Sequence, residues 1–147
     1  MRETSPSSIL GRVDAVRLAA LEEAFEAAWS ADTSATAAWE TSNRAKGQCA
    51  VTACVVQDYL GGDILHTTAT LPSGELVSHY FNVIDDTPVD FTSKQFPNGT
   101  SFSRPSSRTR GYPSTRDYCL SYDSTRHRYD LLSSRVVAYL REREPGS

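Results

Sequence analysis

The stretch Gly47-Gln48-Cys49-Ala50-Val51-Thr52-Ala53-Cys54-Val55-Val56-Gln57-Asp58-Tyr59-Leu60-Gly61-Gly62 decides how the rest of the chain is read. Cys49 to Leu60 is apolar nearly all round, the pattern of a helix buried on most sides. Val51, Val55 and Val56 are β-branched and would suit a strand. The length of the run and the Gly61-Gly62 stop favour helix. Gly47 gives the backbone freedom for a sharp turn just before it. A cysteine therefore opens a buried helix.

Upstream, residues 13–29 carry Leu18, Leu21, Phe25 and Ala28 at three- and four-residue spacing, with Asp14, Glu22, Glu23 and Glu26 left for water. This predicts an amphipathic helix. Ser30 to Thr36 reads as a loop of small polar residues, and Glu40 to Gln48 as an irregular stretch opened by Trp39. Downstream the period changes. Ile64–Thr70, Glu75–Ile84 and Pro88–Phe91 read as three strands of an antiparallel meander, with turns at Pro72-Ser73-Gly74 and Asp85-Asp86. Pro97 to Arg116, rich in Ser, Thr, Arg, Pro and Gly, reads as a long surface loop. A last helix, about Thr125 to Arg143, places Tyr129, Leu132, Val136 and Leu140 on one stripe. The expected fold is α+β: a buried helix begun by Cys49, packed on a three- to four-stranded antiparallel sheet and flanked by N- and C-terminal helices. The expected organisation is one domain over residues 1–147.

Composition supports an ordinary globular chain, with 147 residues, 39% hydrophobic and 22% charged. The net charge of −3 argues against a general nucleic-acid or anionic-membrane binder. No run approaches the roughly 18 apolar residues of a membrane span. Met1 to Gly11 is polar and lacks the order of a secretory signal, so the expected location is cytoplasmic. Three cysteines (Cys49, Cys54 and Cys119) without a C-x-x-C pair point to neither a disulfide framework nor a zinc site. Nothing in the sequence suggests a metal or an organic cofactor. Asn98-Gly99-Thr100 reads as a turn.

A cysteine at a helix N-terminus meets the positive end of the helix dipole and unpaired backbone N–H groups. Both favour the nucleophilic thiolate, and the N–H groups suit an oxyanion. A histidine in reach and an acid to orient it complete the arrangement, and His79 and Asp90 follow on neighbouring strands. Parity tests the pair. A two-residue turn at Asp85-Asp86 sets Ile84 opposite Thr87 and Phe81 opposite Asp90. His79 shares a face with Phe81, so Asp90 falls on the same face as His79, one diagonal step away. Each residue also has a structural reading: a core cysteine, a satisfied core histidine, an aspartate capping a turn. Cys54 and Cys119 read as core. Gln57 and Asp58 read as structural, and Asn82, on the face opposite His79, as a brace of the sheet.

The segments Gly47 to Ala53, Val56 to Gly62, His79-Tyr80-Phe81-Asn82, Val89 to Phe96 and Arg128-Tyr129-Asp130-Leu131-Leu132 resemble the small bacterial YunG-like family. The resemblance covers most of the chain from Trp39 onward. Its motif order is similar to the papain-like and transglutaminase-like superfamily, which implies Cys49 as nucleophile, His79 as general base and acid, and Asp90 as the orienting group. The same likeness implies Gln48 as an oxyanion donor, although it stands directly before the cysteine rather than further upstream. Between Arg104 and Arg128 lie six arginines against two acids. They offer a carboxylate or phosphate clamp, with Arg104, Arg108 and Arg110 as candidates, or a solvated loop. The expected function is cysteine-dependent acyl chemistry on a small-molecule, peptide or acylated substrate: amide or ester hydrolysis, deamidation, or transfer through a thioester. The alternative is a non-catalytic binding module using the same cleft and the arginine-rich loop. A third reading is a regulatory redox thiol.

Overall fold

The computed structural model describes residues 6–143, with side chains from residue 15 onward. Helix α1 spans Pro6–Ala28 and α2 spans Cys49–Leu60. Strands β1 (Asp63–Thr70), β2 (Leu76–Ile84) and β3 (Thr87–Val89) follow, then β4 (Ser101–Phe102), α3 (Thr115–Leu120) and α4 (Asp123–Glu142). The fold is α+β, with four helices and a four-stranded antiparallel sheet in the order β3-β2-β1-β4.

The helix that begins at Cys49 forms as its composition predicts, and Val51 to Val56 are all buried. Gly62 follows it with φ 77°, and an added Cβ there would lie 2.4 Å from the Val83 carbonyl. Only glycine allows α2 to turn so closely past β2. Helix α1 starts earlier than the expected residue 13, with Pro6 as its first residue, a position that proline suits. Leu21, Phe25 and Ala28 of α1, with Trp29 just after it, are buried against Val51, Val55 and Val56 of α2 and Leu132 and Val136 of α4. Full burial of each large apolar side chain contributes roughly 1.5–3 kcal/mol. Trp29 Nε1 donates to Thr52 Oγ1 at 2.9 Å, satisfying a polar atom within this core.

The meander forms with the predicted turn register, Ile84 facing Thr87, Val83 facing Pro88 and Asn82 facing Val89. But β3 ends at Val89 rather than Phe91, so Asp90 lies just past the strand and not in a ladder pair with Phe81. Asp85 and Asp86 both have positive φ (50° and 64°), as a two-residue turn matched to strand twist requires. Asn82 Nδ2 donates to the Ala53 carbonyl at 2.9 Å and ties the sheet to α2. Asp58 forms an ion pair with Arg116 at 2.9 Å and accepts from Tyr129, joining α2 to α3 and α4.

The Pro97–Arg116 region differs from a plain loop. It carries β4, and Ser103 and Ser106 then bond back to Thr68 and His66, so the segment runs along the edge of β1. Its last residues begin α3, capped by the Ser114 hydroxyl accepting from the Asp117 N–H. Among the described residues, no helix is long and apolar enough to cross a membrane.

Candidate functional site

Cys49 is the first residue of α2 and is half-buried. Its thiol is 3.8 Å from the Ser78 carbonyl. That contact lies at an open edge. Strand β3 pairs only with Asn82 to Ile84, so β2 has no neighbour on that side at Ser78. Thr68, opposite Ser78, turns its N–H and C=O toward Ser103 on the far side. Antiparallel geometry then points the Ser78 carbonyl away from β1, toward the cysteine.

His79 is 1% exposed. Its Nε2 donates to Asp90 Oδ2 at 2.6 Å, joining the two residues that parity placed on one face. The other carboxylate oxygen accepts from the Thr92 N–H and hydroxyl, which fixes its direction. Asp90 thus both caps a turn and holds the ring. His79 Nδ1 is buried and is the ring nitrogen that Asp90 leaves open. Burial opposes the charged ring, but Asp90 and Cys49 outweigh it and raise its pKa to about 9. Phe81, Phe96 and Phe102 surround the imidazole, with ring centroids 4.9–6.2 Å away.

The second histidine near the sheet behaves oppositely. Burial and the charges of Arg108, Arg110 and His79 push the His66 pKa down to about 4. It contacts Ser78 Oγ and Arg108 rather than a carboxylate. Burial likewise pushes the Cys54 and Cys119 thiols up to about 12. Both are buried, as core cysteines should be.

A cavity of about 700 Å³ opens in front of Cys49. Gly47 borders it with φ 74°, and a Cβ there would fall 2.3 Å from Ser34 Oγ. Ala35 N–H bonds the Gly47 carbonyl at 2.9 Å, and Ser34 Oγ bonds the Lys46 carbonyl at 2.7 Å. Gln48 is fully buried and donates Nε2 to the Ser30 carbonyl at 3.0 Å, so its amide ties α2 to the end of α1.

Gln95 was not singled out by sequence reasoning. Its Oε1 accepts from the Gly47 N–H at 3.2 Å, which turns its Nε2 the other way, buried and unpartnered. The residue also lines the cavity. The signal was its place in the Val89–Phe96 motif, where only Asp90 was weighed.

Arg104 and Arg110 are exposed, and Arg108 is half-buried beside His66. None of the three lines the cavity; Arg128, the last of the same run, does. Among the described residues, no group of three or more His, Cys, Asp or Glu side chains is placed to hold a metal ion.

A family model described as "YunG protein" matches residues 17–141. "Uncharacterized protein YunG" of Bacillus subtilis (strain 168) is 35% identical over 80 residues, covering 54% of this chain and 65% of that protein. The match therefore spans just under two thirds of that bacterial relative. No solved structure matches.

Proposed function

The chain belongs to the YunG family, and from that premise we propose that it performs cysteine-dependent acyl chemistry on a papain-like arrangement within one domain. Cys49 Sγ attacks a carbonyl carbon as the thiolate, its proton already held on His79 Nδ1, as the raised imidazole pKa favours. The C–S bond forms, and the bond to the amine or alcohol leaving group breaks as His79 protonates that group. Water or another acceptor then releases the acyl group from the thioester. Asp90 keeps Nε2 occupied so that Nδ1 faces the thiol. Gln95 Nε2 and the first-turn N–H groups of α2 are the donors for the oxyanion.

One observation carries this reading. A buried histidine has one nitrogen fixed by a carboxylate at 2.6 Å and the other unpartnered, beside a cysteine that borders a cavity. A histidine present only for packing would be expected to have both nitrogens satisfied.

The test is acylation by p-nitrophenyl acetate, with intact and peptide mass spectrometry. One acetyl group on Cys49, released over time and absent in Cys49→Ser, is expected. Acetylation spread over lysines, or unchanged by Cys49→Ser, would set the proposal aside in favour of the binding module.

A further inference from the structure

We infer that the cavity in front of Cys49 takes a ligand bearing a carboxylate, which Arg128 holds at the wall formed by α4. Described as a substrate, this ligand rests on the acyl chemistry proposed above; described as a bound acid, it does not.

Three of the other partly buried cations have partners. Arg116 meets Asp58 at 2.9 Å, and Arg135 meets Asp32 at 2.8 Å. Arg44 is spent on the carbonyls of Glu26 and Trp29. Arg128 differs. It donates NH2 to Thr125 Oγ1 at 3.2 Å, one turn back on its own helix. Its Nε is buried without a hydrogen-bond partner, and no ion pair to it occurs among the described residues. Burial alone lowers its pKa, with no acid to offset the loss of water. Desolvating a guanidinium without a counter-charge is costly, and an anion that enters the cavity removes that cost.

The surroundings suit a carboxylate on a partly aromatic body. Lys46 also borders the cavity, and Glu75 is the carboxylate on its wall. Two cations therefore face one acid there, in a chain whose net charge is −3. Tyr118 and Tyr122 stand edge to face at 5.6 Å beside Arg128 and form an aromatic flank. The volume, about 700 Å³, is that of a small-molecule site. The planar guanidinium fork matches the two oxygens of a carboxylate.

The experiment separates binding from chemistry by using Cys49→Ser protein and calorimetric titration. The probes are 4-acetamidobenzoate, its neutral isostere 4-acetamidobenzamide, and 4-acetamidophenyl phosphate. The carboxylate should bind at least about tenfold tighter than the amide, since a hydrogen bond to a charged group contributes about 1.5–3 kcal/mol. Arg128→Gln should abolish that preference while leaving the amide's affinity unchanged, and Lys46→Gln should reduce it. Three results would overturn the inference: no saturable binding of the carboxylate, equal binding of acid and amide, or a preference that survives Arg128→Gln. Tighter binding of the phosphate would overturn the assignment to carboxylates. If the preference holds while Cys49 fails to acetylate, the cavity is a carboxylate-binding site and the acyl chemistry alone is lost.

Discussion

Raising the pH from about 6 to about 8.5 is expected to remove on the order of 2 kcal/mol of folding stability, with His79 responsible. Burial opposes its charged form, yet the Asp90 hydrogen bond at 2.6 Å and the adjacent Cys49 raise its pKa from 6.5 to about 9. Each tenfold change in proton affinity is about 1.4 kcal/mol, so the full difference is about 3 kcal/mol. Because folding raises this pKa, the stabilisation is complete below about pH 6.5 and is lost as the pH climbs through about 9. Readings should stop short of pH 9. Beyond it, thiols ionise in the unfolded chain while Cys54 and Cys119 stay protonated in the fold, which adds a second loss. Urea titrations followed by tryptophan fluorescence across this range measure the effect. His79→Gln should abolish this loss and leave only a smaller, opposite rise with pH from His66, whose pKa is lowered to about 4; Asp90→Asn should reduce the loss. A wild-type stability that stays level, or a loss that persists in His79→Gln, would refute the reasoning.

Three substitutions test the frame that holds the site. Asn82→Ala leaves the Ala53 carbonyl without its side-chain partner, and should cost about 1–3 kcal/mol in the same titration. Gly47→Ala sets a Cβ 2.3 Å from Ser34 Oγ at a φ of 74°; a loss of more than about 1 kcal/mol is expected, seen as a lower melting temperature. Leu132→Ala opens a cavity where α4 meets α1 and α2, and should cost about 2–5 kcal/mol by chemical unfolding.

Much of this fold was legible because local rules acted without competition. The apolar run from Cys49 to Leu60 has no polar face to present, so it had to be buried. The Asp85-Asp86 turn set the register, and the register brought Asp90 to His79. What stayed hidden depended on contacts between distant segments. Nothing local says that Ser103 and Ser106 will lie along β1, because that pairing is set by the edge they meet. Short β4 and α3 were lost within a segment whose composition reads as loop. The arginine run was visible, but which member reaches the cavity depends on α4 packing, and it is Arg128 rather than Arg104, Arg108 or Arg110. Gln95 was missed for a similar reason: its role arises from a bond to Gly47, 48 residues away.

The central claim is that Cys49 and His79 act as a pair. The most direct measurement is the iodoacetamide alkylation rate of each cysteine from about pH 5 to 9, read by peptide mass spectrometry in wild type and His79→Ala. Cys49 should be alkylated faster than either other cysteine across this range and slow markedly in His79→Ala, while buried Cys54 and Cys119 remain protected. A Cys49 that is inert, or that reacts equally fast without His79, would contradict the account.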